Sequence, residues 1–312
     1  MTLIRSFASL PSLMRESGER CVAVVCPYDA ATREAVCRAA AEGVARVVLV
    51  GEAARIGQLD EQPAFSGRVT LVPAATPEEA ACKAVRMVRQ GEADVVMKGL
   101  LNTDTLLHAI LDKKCGLLPP GRVLTHVMAA ELPGFERLLF ASDVAVIPQP
   151  TLDQRWAILG YGAAVCRAFG ISHPRMALLH YSEKVSERVP LTLDYRELVR
   201  RADAGGLGDV TVDGPLDLRC ALDAASERIK GIDSPLGGEA DFLHFPDLEA
   251  GNLFYKAVTF LCRARVAGML AGAACPVVLS SRSDGADDKY LSLLFALFAA
   301  ARMEGYGRAS LP

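Results

Sequence analysis

The sequence predicts an α/β protein in two domains, each a parallel or mixed sheet sandwiched between helices. Three patterns carry that expectation. Short runs such as CVAVVC (21–26), RVVLVG (46–51) and PVVLS (276–280) are almost continuously apolar, as strands covered on both faces must be. Segments with helical spacing separate them. The alternation pauses at 121–152, where two β-rich runs meet at Pro133 and Gly134, and then begins again, so two lobes are expected.

In chain order, a helical N-terminal arm precedes the strand at 21–26, and PYDAATREAVCRAAAEG reads as a helix stopped by Gly43. The strand at 46–51 and GRVTLVPA (67–74) follow. Thr76, Pro77 and Glu79 then start a helix that Gly91 closes: a capping hydroxyl, a proline at the first helical position and an acid at the third are a helix-start signature. ADVVMKGLLNTDTLLHAILDKKCG (93–116) repeats strand, glycine turn, polar cap and helix. The two runs within 121–152 look antiparallel, and the proline-bearing IPQPT reads as a crossing between domains. Beyond it come a helix closed by Gly170, a strand at 174–180, a loop and helix to about 206, and a strand at 210–216. The stretch from 218 to 240 reads as a broken loop with one short helix. ADFLHFPDLEAGN supplies strand and turn, LFYKAVTFLCRARVAG an apolar helix, and GMLAG and PVVLS strands. A final helix spans about 287–304.

At 312 residues the chain can bury a large core. Its net charge of −3 shows no nucleic-acid footprint. No apolar run reaches the roughly 20 residues of a membrane helix, and the N-terminus has no signal-peptide core, so a cytoplasmic location is expected. The nine cysteines, among them Cys37, Cys82, Cys166 and Cys262, lack CxxC spacing and read as small buried hydrophobes. The five histidines form no HExxH pair, so spacing implies no metal.

The polar stretch Cys275–Lys289, CPVVLSSRSDGADDK, draws the chemistry together. It reads as strand, loop and helix start, and in parallel α/β proteins ligands bind at such carboxyl ends. The helix behind the loop offers unpaired N–H groups to an anion. Ser280 and Ser281 supply hydroxyls, Arg282 a guanidinium, and Asp284, Asp287 and Asp288 carboxylates. A guanidinium fork fits phosphate, a serine can donate to a forming oxyanion, and a carboxylate can accept a proton. The same acids also suit helix caps, and the arginine a surface ion pair. Lys98, Asn102 and Thr103 lie at another strand's carboxyl end, where a snorkelling lysine and an ordinary cap would look the same.

Six segments in order, VVMKGLLNT (95–103), LTHVMAAELPGFERLLFASDVAV (124–146), EKVSERVPLT (183–192), VDGPLDL (212–218), GEADFLHFPDLEAGNLFYKA (238–257) and VVLSSRSD (277–284), resemble the phosphate acetyl/butyryltransferase family, most closely its butyryl branch. The resemblance covers nearly the whole chain from about residue 20. It implies a fold like that of isocitrate and isopropylmalate dehydrogenases, with residues 1–147 plus 285–312 as one domain, 148–284 as the other and the active site in the cleft between them. It also implies a homodimer or higher homo-oligomer. The implied reaction is acyl-CoA plus phosphate giving acyl phosphate plus coenzyme A. Its partners are coenzyme A or its acyl thioester, and phosphate or acyl phosphate; coenzyme A is a substrate, and no other cofactor, nucleic acid or membrane is implied.

Carried over by position, the family's catalytic serine and arginine fall on Ser281 and Arg282, and its aspartate on Asp288, with Asp284 completing the SR-x-D form. Substrate-binding candidates are Lys98, Asn102, Thr103, His126, Glu249, Asn252 and Asp284. One departure stands out: the helix at 103–111 holds no arginine where the acetyl branch has one. That favours a butyryl-type enzyme over a phosphate acetyltransferase, and leaves a decayed coenzyme A-binding protein as another alternative. An NAD-dependent decarboxylating dehydrogenase would need a magnesium-binding carboxylate set and several substrate-clamping arginines, a pattern these segments do not supply, and no strand-linked GxGxxG fingerprint is evident either. In the expected mechanism Asp288 takes the thiol proton, Ser281 donates to the carbonyl oxygen, and Arg282 with the helix N-terminus holds phosphate. A helix-start acid that orients Arg282 is the other role open to Asp288.

Overall fold

A computed structural model describes residues 2–57, 67–281 and 284–303. The chain divides into two compact units: Ser6–Leu124 with Val266–Pro312, termed here the first unit, and Met1–Arg5 with Thr125–Arg265, the second.

The first unit opens with a 3-10 turn, Phe7–Ser9, and α1 (Leu10–Glu16), then β1 (Arg20–Val25), α2 (Ala30–Ala41), β2 (Ala45–Gly51), α3 (Ala53–Ile56), β3 (Val69–Pro73), α4 (Pro77–Arg89), β4 (Val95–Lys98) and α5 (Thr103–Leu111). The second runs through β5 (Thr125–Glu131), β6 (Leu138–Ser142), α6 (Leu152–Ala168), β7 (Arg175–Leu179), α7 (Pro190–Asp203), β8 (Thr211–Leu216), α8 (Leu218–Leu222), α9 (Ala224–Lys230), β9 (Phe242–His244) and α10 (Leu248–Lys256). The chain closes with β10 (Arg265–Ala271), β11 (Val277–Val278) and α11 (Ala286–Arg302).

In the first unit the strand order is β3-β2-β1-β4-β11-β10. All pairs with a determined register are parallel except β10 with β11. In the second the order is β5-β6-β9-β7-β8, antiparallel only between β5 and β6. The mixed α/β class read from the alternation is therefore the one observed. Strand interiors such as Val22–Val25 and Val95–Met97 are sealed from solvent. Continuous apolar runs mark strands buried on both faces, which is why they were so legible.

Helix starts follow their caps. The Asp29 carboxylate accepts from the Thr32 N–H at 2.8 Å to start α2. Thr76 accepts from Glu79 N–H at 3.2 Å, with Glu79 reaching back to the Ala75 N–H at 2.7 Å. Each satisfies an N–H that the helix leaves unpaired. At the end of β4, Gly99 lies so close to β1 that a Cβ would stand 2.3 Å from the Cys26 carbonyl oxygen, so only glycine fits.

The structure differs from expectation in four places. The compact units change over at 124/125 and 265/266, where 147/148 and 284/285 were expected. The reason is pairing: the β5–β6 hairpin joins β9 through β6, and the β10–β11 hairpin joins β4 through β11. IPQPT accordingly leads into α6 within one unit. Residues 218–240 hold two short helices, not one, because Asp217 and Asp223 each cap a start. The segment expected as one helix at 253–268 is divided: α10 begins at Leu248 behind its Asp247 cap, a π turn covers Ala257–Leu261, and Arg265 already begins β10. Finally, Cys166 is buried, but Cys82 and Cys262 are exposed and Cys37 is half-buried. Cys82 lies off the buried stripe of α4, and Cys262 follows the π turn.

Candidate active site

In the first unit, β4 and β11 end side by side, and α5 and α11 begin just beyond them. The Ser280 hydroxyl donates to the Lys98 carbonyl at 3.4 Å, tying the two strand ends together. Lys98 is 3% exposed, and its ammonium donates to the Gly99 carbonyl at 3.4 Å. Asn102 is the N-cap of α5 and Thr103 its first residue, both exposed. Buried lysines are rare unless paired, and this one lies in the strand that leads into the turn to α5.

The turn between β11 and α11 is shaped by its own carboxylates. The Ser281 N–H donates to Asp284 Oδ2 at 2.7 Å, and the Gly285 N–H to Asp288 Oδ2 at 3.3 Å. Asp288 thus caps the first turn of α11 while its side chain stays exposed. Ser281 is exposed and Asp284 half-buried. Arg282 lies outside the described residues. The N-termini of α5 and α11 both lie at this edge, and the positive dipole end of a helix suits an anion.

At the neighbouring strand ends is a basic group the sequence reading missed. Arg55 lies with its guanidinium 3.8 Å above the Tyr28 ring. Arg33 donates to the Pro27 carbonyl at 3.0 Å and to the Arg55 carbonyl at 2.6 Å, while the Glu52 N–H donates to the Tyr28 hydroxyl at 2.8 Å. Position relative to the strands was the available signal: PYDAATR and EAAR follow 21–26 and 46–51 as KGLLNT follows 95–97.

The other three substrate-binding candidates, His126, Glu249 and Asn252, belong to the second unit. Asp143 is 3% exposed. Its carboxylate accepts from the N–H groups of Ala145, Val146 and Ile147 at 2.8, 3.0 and 3.2 Å and from the Thr125 hydroxyl at 2.8 Å. His126 beside it is buried; burial holds its pKa below the ordinary value despite Asp143, so the ring is neutral. Its Nδ1 has no hydrogen-bond partner among the described residues. Glu249 stands exposed in the first turn of α10, and Asn252 donates to the Val144 carbonyl at 3.1 Å. Arg155, 5% exposed, reaches His244 Nε2 at 3.2 Å and donates to the Phe245 and Pro246 carbonyls at 3.4 and 2.7 Å. Burial, reinforced by Arg155, pulls His244 down to about 3.

Among the described residues one group has metal-ligand spacing: Glu183, Asp217 and Cys220. The Lys230 ammonium already bonds Glu183, at 2.7 Å, and Asp217, and burial raises the Cys220 thiol to about 11. A protonated thiol beside an ion pair is a poor metal site.

Residues 74–297 match the family model described as Phosphate acetyl/butaryl transferase. The chain belongs to this family of phosphate acyltransferases. Its relatives include the phosphate butyryltransferase of Clostridium acetobutylicum, 34% identical over 96% of this chain and 99% of that protein. The phosphate acetyltransferase of Thermotoga maritima is also 34% identical, over 93% and 98%. The crystal structure of a branched-chain phosphotransacylase from Enterococcus faecalis superposes with a TM-score of 0.79 at 28% identity, covering 90% of this chain and 99% of that one. The dehydrogenase-like fold agrees with a 4-hydroxythreonine-4-phosphate dehydrogenase from Klebsiella pneumoniae, at a TM-score of 0.55 and 14% identity over 91% of this chain and 100% of that one. No helix among the described residues is long and apolar enough to cross a membrane.

Proposed function

We propose that this phosphate acyltransferase moves a short acyl group, of butyryl type, between coenzyme A and orthophosphate. The observation that carries the reading is the turn from Ser281 to Asp288, with its exposed hydroxyl and carboxylate at the N-terminus of α11. In the direction of acyl-phosphate synthesis a phosphate oxygen attacks the thioester carbonyl, the C–S bond breaks, and the departing sulfur gains a proton. In reverse, Asp288 takes the thiol proton as sulfur attacks the acyl phosphate, Ser281 donates to the carbonyl oxygen, and Arg282 with the α11 N-terminus holds the phosphate that leaves. A thiol of pKa about 8.5 is mostly protonated at neutral pH, so a base beside it helps. A pre-aligned complex needs no covalent enzyme intermediate.

Coenzyme A carries phosphates at its nucleotide end, and α5 offers them no arginine. Arg33 and Arg55 at the ends of β1 and β2 meet that need, Arg55 with an aromatic ring already stacked against it. The absent α5 arginine is also the feature that favours butyryl over acetyl. A homo-oligomer fits the exposure of Leu253, Phe260 and Leu261 on α10 and the turn after it, large apolar side chains that an interface would cover. Mass measurement in solution tests that part.

The deciding assay incubates the purified protein with phosphate and acetyl-, propionyl-, butyryl- or branched acyl-CoA and follows free thiol. Turnover highest with a four-carbon or branched acyl group is expected; highest turnover with acetyl-CoA would make it a phosphate acetyltransferase. Binding of all four without thiol release would mark a decayed site.

A further inference from the structure

We propose that Lys289 is a positioning residue that fixes the distance between the Asp288 turn and the Arg33 turn, and so couples the nucleotide end of coenzyme A to the chemistry at its sulfur. This rests on the reading above. Lys289 is 4% exposed. Its ammonium donates to Asp29 Oδ1 at 2.9 Å and to Thr32 Oγ1 at 3.0 Å. Both partners belong to the start of α2: Asp29 is its N-cap, and Thr32, wholly buried, also donates its hydroxyl to Asp29 Oδ2 at 2.7 Å. Burial works against ionisation of Asp29, but the hydrogen bonds from Lys289 and Thr32 outweigh it and hold the carboxyl below its usual range.

The lock sits one residue from each group it would place. Asp288 precedes Lys289 on α11, and Arg33 follows Thr32 on α2. Cohesion between these helices has other sources. Tyr290, buried, bonds Glu42 and lies under the Arg38 guanidinium at 4.0 Å, and most of α11 beyond it is apolar and sealed. A buried ion pair adds little stability over well-packed apolar groups. What it supplies is a defined position, because an ammonium held by two oxygens has one geometry where a greasy contact can slide. Reactions that depend on alignment lose much of their rate for displacements near 1 Å.

The experiment compares Lys289→Met and Asp29→Asn with wild type, using phosphate and two thioesters of the same acyl group: acyl-CoA, and acyl-pantetheine, which lacks the nucleotide. In the variants kcat/KM for acyl-CoA is expected to fall on the order of tenfold, while that for acyl-pantetheine changes by less than about threefold, so the ratio between them shrinks. Asp29→Asn retains an N-cap acceptor for Thr32 and breaks the same pair from its other side, so the two variants test the lock independently. An equal loss on both thioesters would make the pair merely structural and overturn the proposal, as would full activity in both variants. Wild type without activity on any acyl-CoA would instead remove the underlying assignment, and the inference with it.

Discussion

Each unit carries a cluster of polar residues at or near strand termini, and the two clusters differ in exposure. In the second unit, Asp143, His126, His244 and Arg155 are all less than 9% exposed, and Asp143 and Arg155 spend their hydrogen bonds largely on backbone. In the first, Ser281 and Asp288 stand at the surface, and the burial there falls on Lys98 and Lys289 beneath them. Charge at a strand end is therefore not enough to mark chemistry. A carboxylate saturated by three N–H groups holds a turn in shape, whereas one with a single N–H partner and solvent at hand can still accept a proton.

The contrast is sharpest at Gly251. A Cβ there would stand 2.1 Å from the Asp143 carbonyl oxygen, where neither backbone can yield, so Gly251→Ala is expected to cost about 4 kcal/mol, read by urea unfolding. A loss below 1 kcal/mol would mean the second unit's turn is adaptable after all. On the other side, Asp288→Asn keeps the cap but removes the base, and turnover with butyryl-CoA and phosphate should drop about 100-fold at an almost unchanged unfolding midpoint. Unchanged turnover would place Asp288 with the structural acids. Arg155→Met strips the Phe245 and Pro246 carbonyls of their donor and should destabilise by about 2 kcal/mol, with KM for phosphate unaltered in whatever protein remains folded.

The smallest effect is pH dependence. His244 is pulled to about 3 in the folded chain, against about 6.5 when unfolded. A depressed histidine favours the fold fully above the unfolded value, and stability falls as acid protonates the unfolded chain first. Between pH 6.5 and 5.5 the loss from this one ring is about 1 kcal/mol, and His126 adds in the same direction. Chemical denaturation across that window should show the slope, and His244→Phe should reduce it; an identical slope would separate His244 from the acid sensitivity.

Much of the architecture was readable because its signals are local. Runs such as Val22–Val25 could only be covered strands, and Thr76 announces a helix start that its own side chain makes. The reading failed where distant pairing decides. Nothing near residue 124 tells that β6 will join β9, and nothing near residue 265 that β10 will fold back on β11. At the candidate site, Ser281, Asp284 and Asp288 could be proposed together from sequence because they lie within eight residues of one another. The Arg33–Arg55 contact could not be read in the same way, because strands β1 and β2, over twenty residues apart, bring the two together.

By itself the order of residues determined the alternating α/β class, the capped helix starts and the polar turn before α11, since each depends on neighbours within a few positions. Tertiary structure alone decided which charges are spent inside. Lys98 and Lys289 look like surface lysines in sequence, and Asp143 like any acid, until packing removes water and leaves each of them only the oxygens or N–H groups of particular neighbours.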